Sequence, residues 1–289
     1  PAPAAPDPAR PLDALRLGAD AAEARAGSFA WEAQLDWTVS KPGAAPVHLA
    51  ERHRVRQLAS GEFEASADLD PGAGPGSETG KQVVWADGMT YARGRWAPFR
   101  ERPTDRGRDA RRFRDESFRL AADLADLYGP ALAAQPSGEA SLLGRRARRY
   151  VLSLSGAAPP PAPAPPAALP DGKYDPDTRR RLDFLEGRVP TALSGALLVD
   201  AETGLPLAVT LRGAFSEQAD PQLRAEVSLE ASVRALGDEV PAVRPQRGAL
   251  ADERKPKGVA RALEAAGLRQ RDGGAAGPEG EGEGDQPEE

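Results

Sequence analysis

The chain of 289 residues contains no cysteine, which excludes disulfides, cysteine-ligated zinc and thiol nucleophiles. It also lacks isoleucine and asparagine, and it has one methionine, two histidines and five lysines against 33 arginines. Without asparagine there is no N-glycosylation sequon. The excess of Ala, Arg, Gly and Pro is that of a GC-rich coding sequence and carries no function by itself. No apolar run reaches the roughly 18 residues that a membrane-spanning helix needs. With 30 glycines and 29 prolines, part of the chain reads as linker or tail. The rest is long enough to bury a core as one large domain or two small ones.

Charge is unevenly placed. The net charge is −6, yet the last 18 residues, Asp272 to Glu289, hold seven acids and no cation, so the remaining chain carries +1. This acidic, Gly- and Pro-rich tail cannot bury apolar surface and is expected to be disordered. Residues 1–11 (PAPAAPDPARP) read as a disordered Pro/Ala tether. Ser155 to Gly172 reads as a flexible Pro-rich loop. A folded domain is therefore expected over residues 12–240, followed by a C-terminal segment, 241–289, that ends in the tail. The chain opens on Pro1 with no signal peptide in view, and a Pro/Ala tether there suits an exported protein already trimmed.

Hydrophobic patterning points to strands. In SFAWEAQLDWTVS (Ser28 to Ser40), Phe29, Trp31, Ala33, Leu35, Trp37 and Val39 alternate with mostly polar residues. Gln222 to Leu236 repeats the pattern with Leu223, Ala225, Val227, Leu229, Ala231, Val233 and Ala235 on one face. A period of two with aromatic and β-branched residues is a half-buried antiparallel strand, and a helix would mix the two sets. Weaker strands are expected at Val47 to Leu58, Glu62 to Leu69 and Arg145 to Ser155. Lys81 to Arg100 reads as three short strands with turns at Asp87-Gly88 and Arg93-Gly94. Gly195 to Asp200, then AETG, then Leu205 to Phe215 reads as another hairpin. About nine or ten strands in meander order favour one large curved sheet or barrel. Helices are expected at about Pro11 to Ala26, at Ser117 to Tyr128 before the Gly129-Pro130 stop, at Asp175 to Phe184, and weakly at Val259 to Leu268.

No catalytic constellation emerges. His48 and His53 are five apart, which sets them on opposite faces of one strand, and they lack zinc-ligand spacing. Both read as surface histidines. GPGSETGKQ (Gly74 to Gln82) fails as a phosphate loop: Pro75 stands where the first glycine belongs and Gln82 where the hydroxyl belongs. It reads as a mobile hairpin loop. There is no Gly-x-Ser-x-Gly elbow and no His-Glu-x-x-His. No catalytic residue, metal ligand or cofactor is assigned, and the chain reads as a non-enzyme. Arg93 to Arg119 holds ten arginines interleaved with five acids, and Arg145, Arg146, Arg148 and Arg149 form a second cluster. Interleaving with acids favours a solvated face or ion pairs over nucleic acid, so no nucleic-acid partner is expected. An anionic lipid surface is a further reading of these clusters.

The order of helix, long strand, meander, inserted helix and further strands resembles the LolA/LppX-like family of envelope lipoprotein and lipid carriers. The first helix with SFAWEAQLDWTV, the meander VVWADGMTYARGRWAPF, and LLVDAETGLPLAVTLRGAF carry the likeness over roughly Leu12 to Leu236. The resemblance implies a mainly β (α+β) fold: a single large curved antiparallel sheet forming an open, unclosed β-barrel with helices packed on the concave side. It implies an apolar concavity for acyl chains, which here Trp31, Leu35, Trp37, Phe63, Trp85, Met89, Tyr91, Trp96 and Phe99 would line. Such a site needs no catalytic group, since each buried methylene contributes about 0.8 kcal/mol. The expected partners are a lipid or acylated protein and other envelope proteins, in the periplasm or outer membrane of a Gram-negative bacterium. A membrane tether through an N-terminal lipid anchor outside this chain belongs to the same expectation. The alternative is an envelope structural or interaction module whose interior these same side chains fill. The Pro-rich insert and the acidic tail depart from the family pattern, and no residue for handing cargo to a receptor can be mapped.

Overall fold

A computed structural model of the chain describes residue 7 and residues 10–102, 106–156 and 176–251. Most of the expected tether, most of the Pro-rich loop, the helix expected at Val259 to Leu268 and the acidic tail lie outside the described residues.

The strands are β1 (Phe29–Ser40), β2 (Val47–Gln57), β3 (Phe63–Asp70), β4 (Thr79–Ala86), β5 (Met89–Gly94), β6 (Arg100–Glu101), β7 (Leu132–Leu142), β8 (Arg145–Leu154), β9 (Arg188–Asp200), β10 (Pro206–Glu217) and β11 (Arg224–Leu236). All belong to one sheet in the order β6-β5-β4-β3-β2-β1-β11-β10-β9-β8-β7. Every neighbouring pair of strands is antiparallel. The edge strands β6 and β7 do not pair, so the sheet stays unclosed. This is the mainly β, single-sheet architecture that the alternating segments imply. No helix among the described residues is long and apolar enough to cross a membrane.

The sheet is two meanders joined at its centre. β1 and β11, the two strands with the cleanest alternation, pair over their whole lengths, with Leu35 opposite Leu229 and Trp37 opposite Val227. β6 and β7 follow each other in the chain yet lie at opposite edges. The segment between them contains α2 (Arg108–Phe118) and α3 (Leu120–Tyr128). These helices bury Phe118, Leu120, Leu124 and Tyr128 in the same core as Phe29, Trp31, Leu35 and Leu229. α1 (Ala19–Ala26) adds Ala19 and Ala22.

Several boundaries differ from the sequence expectation. The first helix is a 3-10 turn at Pro11–Ala14 and a separate α1, which begins after Gly18. The helix expected from Ser117 to Tyr128 is α3 from Leu120 onward, and Ser117 and Phe118 close a separate α2, whose Arg- and Asp-rich sequence hides a buried side of Ala110, Arg114, Ser117 and Phe118. β7 has no counterpart among the expected strands; its Pro136 is tolerated because the strand lies at the sheet edge. The helix expected at Asp175 to Phe184 is α4, which spans Pro176–Gly187 and runs straight into β9.

The opposite face of the sheet is polar over its N-terminal half. Arg54 pairs with Glu32 at 3.3 Å and Asp68 at 3.5 Å, Arg56 with Glu64 at 3.5 Å, Arg95 with Asp68 at 3.1 Å, and Arg234 with Glu32 at 3.2 Å. Exposed pairs of this kind each stabilise by only about 0–1 kcal/mol. Near β6 this face carries a small second core, in which Val84, Ala86 and Tyr91 pack with Val243, Met89, Phe99 and Ala249. Leu250 there pairs in parallel with Arg100.

Candidate functional site

At one end of the sheet the helix-covered face opens into an apolar cavity of about 390 Å³. The strand ends bring Trp37, Val39, Leu49, Phe215 and Ala225 to its wall, and α4 contributes Phe184. Its position follows from register. Val39 lies opposite Val47 and Ala225, and Phe215 lies opposite Ala225, so the apolar rows of β2, β1, β11 and β10 run on past the helices. His48, Ser216 and Glu217 also line the cavity. The volume falls within the range of about 300–1,000 Å³ common for small-molecule sites.

An aromatic cluster forms the inner wall. Trp37 and Phe215 stack with centroids 6.2 Å apart, and Phe184 meets both edge-on at 6.4 and 6.0 Å. Phe215 in turn packs on Tyr128 at 4.5 Å. Tyr128 is fully buried at the end of α3, and its hydroxyl lies directly over Gly213 of β10, where a side chain would collide with it. Burial pushes the Tyr128 phenol well above its ordinary range. Arg188 closes the base of α4. Its buried guanidinium donates to the carbonyl of Leu127 at 2.9 Å and to that of Leu185, which ties the ends of α3 and α4 together. Burial lowers its pKa. At the same end of the sheet, Lys41 of the β1–β2 turn donates to Asp220 of the β10–β11 turn at 2.6 Å. That hydrogen bond raises the Lys41 pKa and lowers that of Asp220.

The nine residues expected to line one cavity do not come together. Trp37 lines it. Trp31, Leu35 and Phe63 share its sheet face but are buried beneath the helices: Trp31 packs on Phe118 at 5.3 Å, and Phe63 lies under the Arg114 guanidinium at 4.8 Å. Trp85 lies on the same face at the flank, 5.6 Å from the Arg111 guanidinium. Met89, Tyr91 and Phe99 belong to the small core on the opposite face. The pleat is the reason. Tyr91 pairs with Val84 and Met89 with Ala86, so the Asp87-Gly88 turn returns them to the face that Trp85 does not occupy. Trp96 is 77% exposed in the turn before β6, beside the Arg95 guanidinium. Of the other liners, Val39 and Ala225 continue rows already visible in the sequence. Phe184 gives no such signal, because it sits on a helix behind a Pro-rich stretch.

His48 is exposed and bonds Thr38 across the strand pair at 3.0 Å. His53 faces the helices instead of solvent, 3.2 Å from Glu51 with 14% of its side chain exposed. Among the described residues no three carboxylates or histidines stand together as metal ligands. A larger charged depression, about 670 Å³, lies over the ion-paired arginines of the other face.

No family model matches the chain, and no curated protein matches it in sequence. Among solved structures the fold is similar to the MucA/MucB complex of Pseudomonas aeruginosa, at 16% identity and a TM-score of 0.26. That match covers 79% of this chain and 59% of the other, so this chain spans less than two thirds of that chain's length. It is also similar to a LolA superfamily protein from Nitrosomonas europaea, at 11% identity and TM-score 0.20, covering 78% and 96%. The lipoprotein LppX of Mycobacterium tuberculosis is similar at 9% identity and TM-score 0.27, covering 78% and 95%. The likeness is one of fold and is loose.

Proposed function

We propose that the protein is a non-enzymatic component of a Gram-negative cell envelope, where its end cavity holds an acyl chain of a lipid or lipoprotein. The observation that supports this is the cavity wall of Trp37, Val39, Leu49, Phe184, Phe215 and Ala225, apolar throughout and open to solvent at the sheet end. A chain that buries ten methylenes gains about 8 kcal/mol. Loss of rigid-body freedom costs at least about 4 kcal/mol, so ten methylenes alone supply at most about 4 kcal/mol, which is millimolar binding, and a longer buried chain binds more tightly. Sorting of outer-membrane lipoproteins or lipid transport is the role this binding would serve.

The test is uptake of a fluorescent fatty-acyl probe, with Ala225→Trp as the variant that fills the cavity. Wild-type protein takes up the probe, and the variant keeps its circular dichroism and loses uptake. No uptake by the wild type, or equal uptake by a folded variant, overturns the reading. One observation favours a second role, an envelope interaction module of the same fold: α2 and α3 fill the middle of the face over Trp31 and Leu35. Bare protein in native mass spectrometry, together with no probe uptake, would favour that role.

A further inference from the structure

Arg54, Arg56, Arg93, Arg95 and Arg234 on the polar face are matched to acids or to Gln82. On the β7–β8 hairpin, Arg145 is held by the buried Asp200 at 2.7 Å and anchors the tip to β9. Beyond it, Arg146, Arg148 and Arg149 are exposed, and among the described residues none has a side-chain partner. Their neighbours Ala147, Tyr150 and Leu152 are buried. β8 alternates without a break against β9, so Arg146 and Arg148 lie on one face of the hairpin and Arg149 on the other, and the three exposed guanidiniums stand on both sides of it near its tip. The only acid on β7 is Glu139, opposite Arg148.

The same hairpin exposes two large apolar side chains, Leu143 at 41% and Val151 at 42%. Leu143 has φ +50° at the hairpin tip, followed by Gly144 at φ +70°. A two-residue turn of this kind takes Asn, Asp or Gly at its first position, and a bulky residue there is strained. Leucine at this place thus carries both backbone strain and exposed apolar surface, neither of which helps folding.

We propose that the β7–β8 hairpin is a docking surface for an anionic lipid bilayer, with Arg146, Arg148 and Arg149 at the headgroups and Leu143 entering the interface. Apolar residues beside a cluster of cations are what an anionic membrane surface attracts. An acidic polypeptide fits less well. It would add itself as a strand to the free edge of β7, where Pro136 has no N–H to offer and the irregularity at Gly138 breaks the ladder. The surface is separate from the cavity. The tip pairs with the Asp200 end of β9, whereas the cavity lies at the Arg188 end.

The experiment is cosedimentation of the full chain with vesicles of phosphatidylcholine alone, and of phosphatidylcholine with phosphatidylglycerol in equal parts. Binding is expected to the mixed vesicles only, and to weaken with salt. R146Q/R148Q/R149Q lowers partitioning about a hundredfold, since each cation near an anionic surface contributes roughly fivefold. Leu143→Asn suits the turn, so it keeps the fold and lowers binding. R16Q/R112Q/R119Q removes the same charge from exposed, ion-paired sites and leaves binding nearly unchanged. No binding to mixed vesicles, or equal loss in both triple variants, overturns the proposal. Retention on immobilised polyglutamate without vesicle binding overturns it in favour of an acidic polypeptide. None of these outcomes depends on acyl-probe uptake.

Discussion

Gly213→Ala puts the packing of α3 on the sheet to a direct test. Gly213 pairs with Val227 on one side and Leu193 on the other, in the same row as Trp37. A Cβ added there would overlap the Tyr128 hydroxyl and lie 2.9 Å from both its ring carbon Cζ and the Ala192 carbonyl oxygen. The ring has little room to retreat, since it is fully buried and packed on Phe215 at 4.5 Å. Overpacking a tight core costs about 1–3 kcal/mol, and a clash against both a ring and a backbone carbonyl belongs at the upper end, about 3 kcal/mol. For a domain of this size that lowers Tm by about 6–12 °C. Urea unfolding followed by tryptophan fluorescence measures the loss as a lower midpoint with an unchanged slope. Adding Tyr128→Phe removes the colliding oxygen and should recover about 1 kcal/mol, a coupling that a double-mutant cycle resolves. An alanine variant within about 0.5 kcal/mol of the wild type, with no coupling to position 128, would refute the packing described.

Arg114 is the one buried cation of α2, donating to Gln57 at 2.9 Å, Asp20 at 2.6 Å and Asp115 at 2.8 Å, with Phe63 beneath it. Arg114→Ala is expected to destabilise by about 2–4 kcal/mol in urea titration, because Gln57 is left buried with its carbonyl unmatched. At Asp200, burial alone would raise the carboxyl pKa, but hydrogen bonds from Arg145 and from the Thr203 and Glu202 amides outweigh it and hold the pKa below the ordinary 3.8. The folded-state pKa is thus depressed. Its stabilisation is full above the unfolded-state pKa and fades as pH falls through the folded value. Asp200→Asn should lower stability at neutral pH and flatten the stability profile below about pH 4, as read from urea midpoints across pH.

Much of the architecture is legible in β1 and β11. Their uninterrupted alternation fixes a face, and the turn chemistry of Asp87-Gly88 fixes a hairpin. Elements that lie off this pattern are harder to read. β7 carries Gln135, Pro136, Ser137 and Gly138 in succession, a loop composition that an edge strand can carry because one side of it needs no partner. α2 hides its buried side behind arginines whose stems and heads pack over Trp85 and Phe63. The site is less legible than the fold. An aromatic residue announces that it will be buried, but not whether helix, solvent or cargo will meet it. Trp31 and Trp37 sit on one strand face with identical local patterns. What separates them is Phe118 over the former and Phe184 at the edge of a cavity beside the latter. Neither can be foreseen from β1 itself.

The joining of the first and last strands at the middle of the sheet has a kinetic meaning. Apart from the long β8–β9 connection that carries α4, each half, β1 to β6 and β7 to β11, is built from near-neighbour hairpins that can form quickly on their own. The seam between Trp37 and Val227 must instead close a loop of nearly the whole folded chain, which makes it the slow event in folding. A nascent chain leaving the ribosome would expose the greasy edge of β1 until its final strand arrives. That interval is where a chaperone would be needed most, and where two chains could exchange halves.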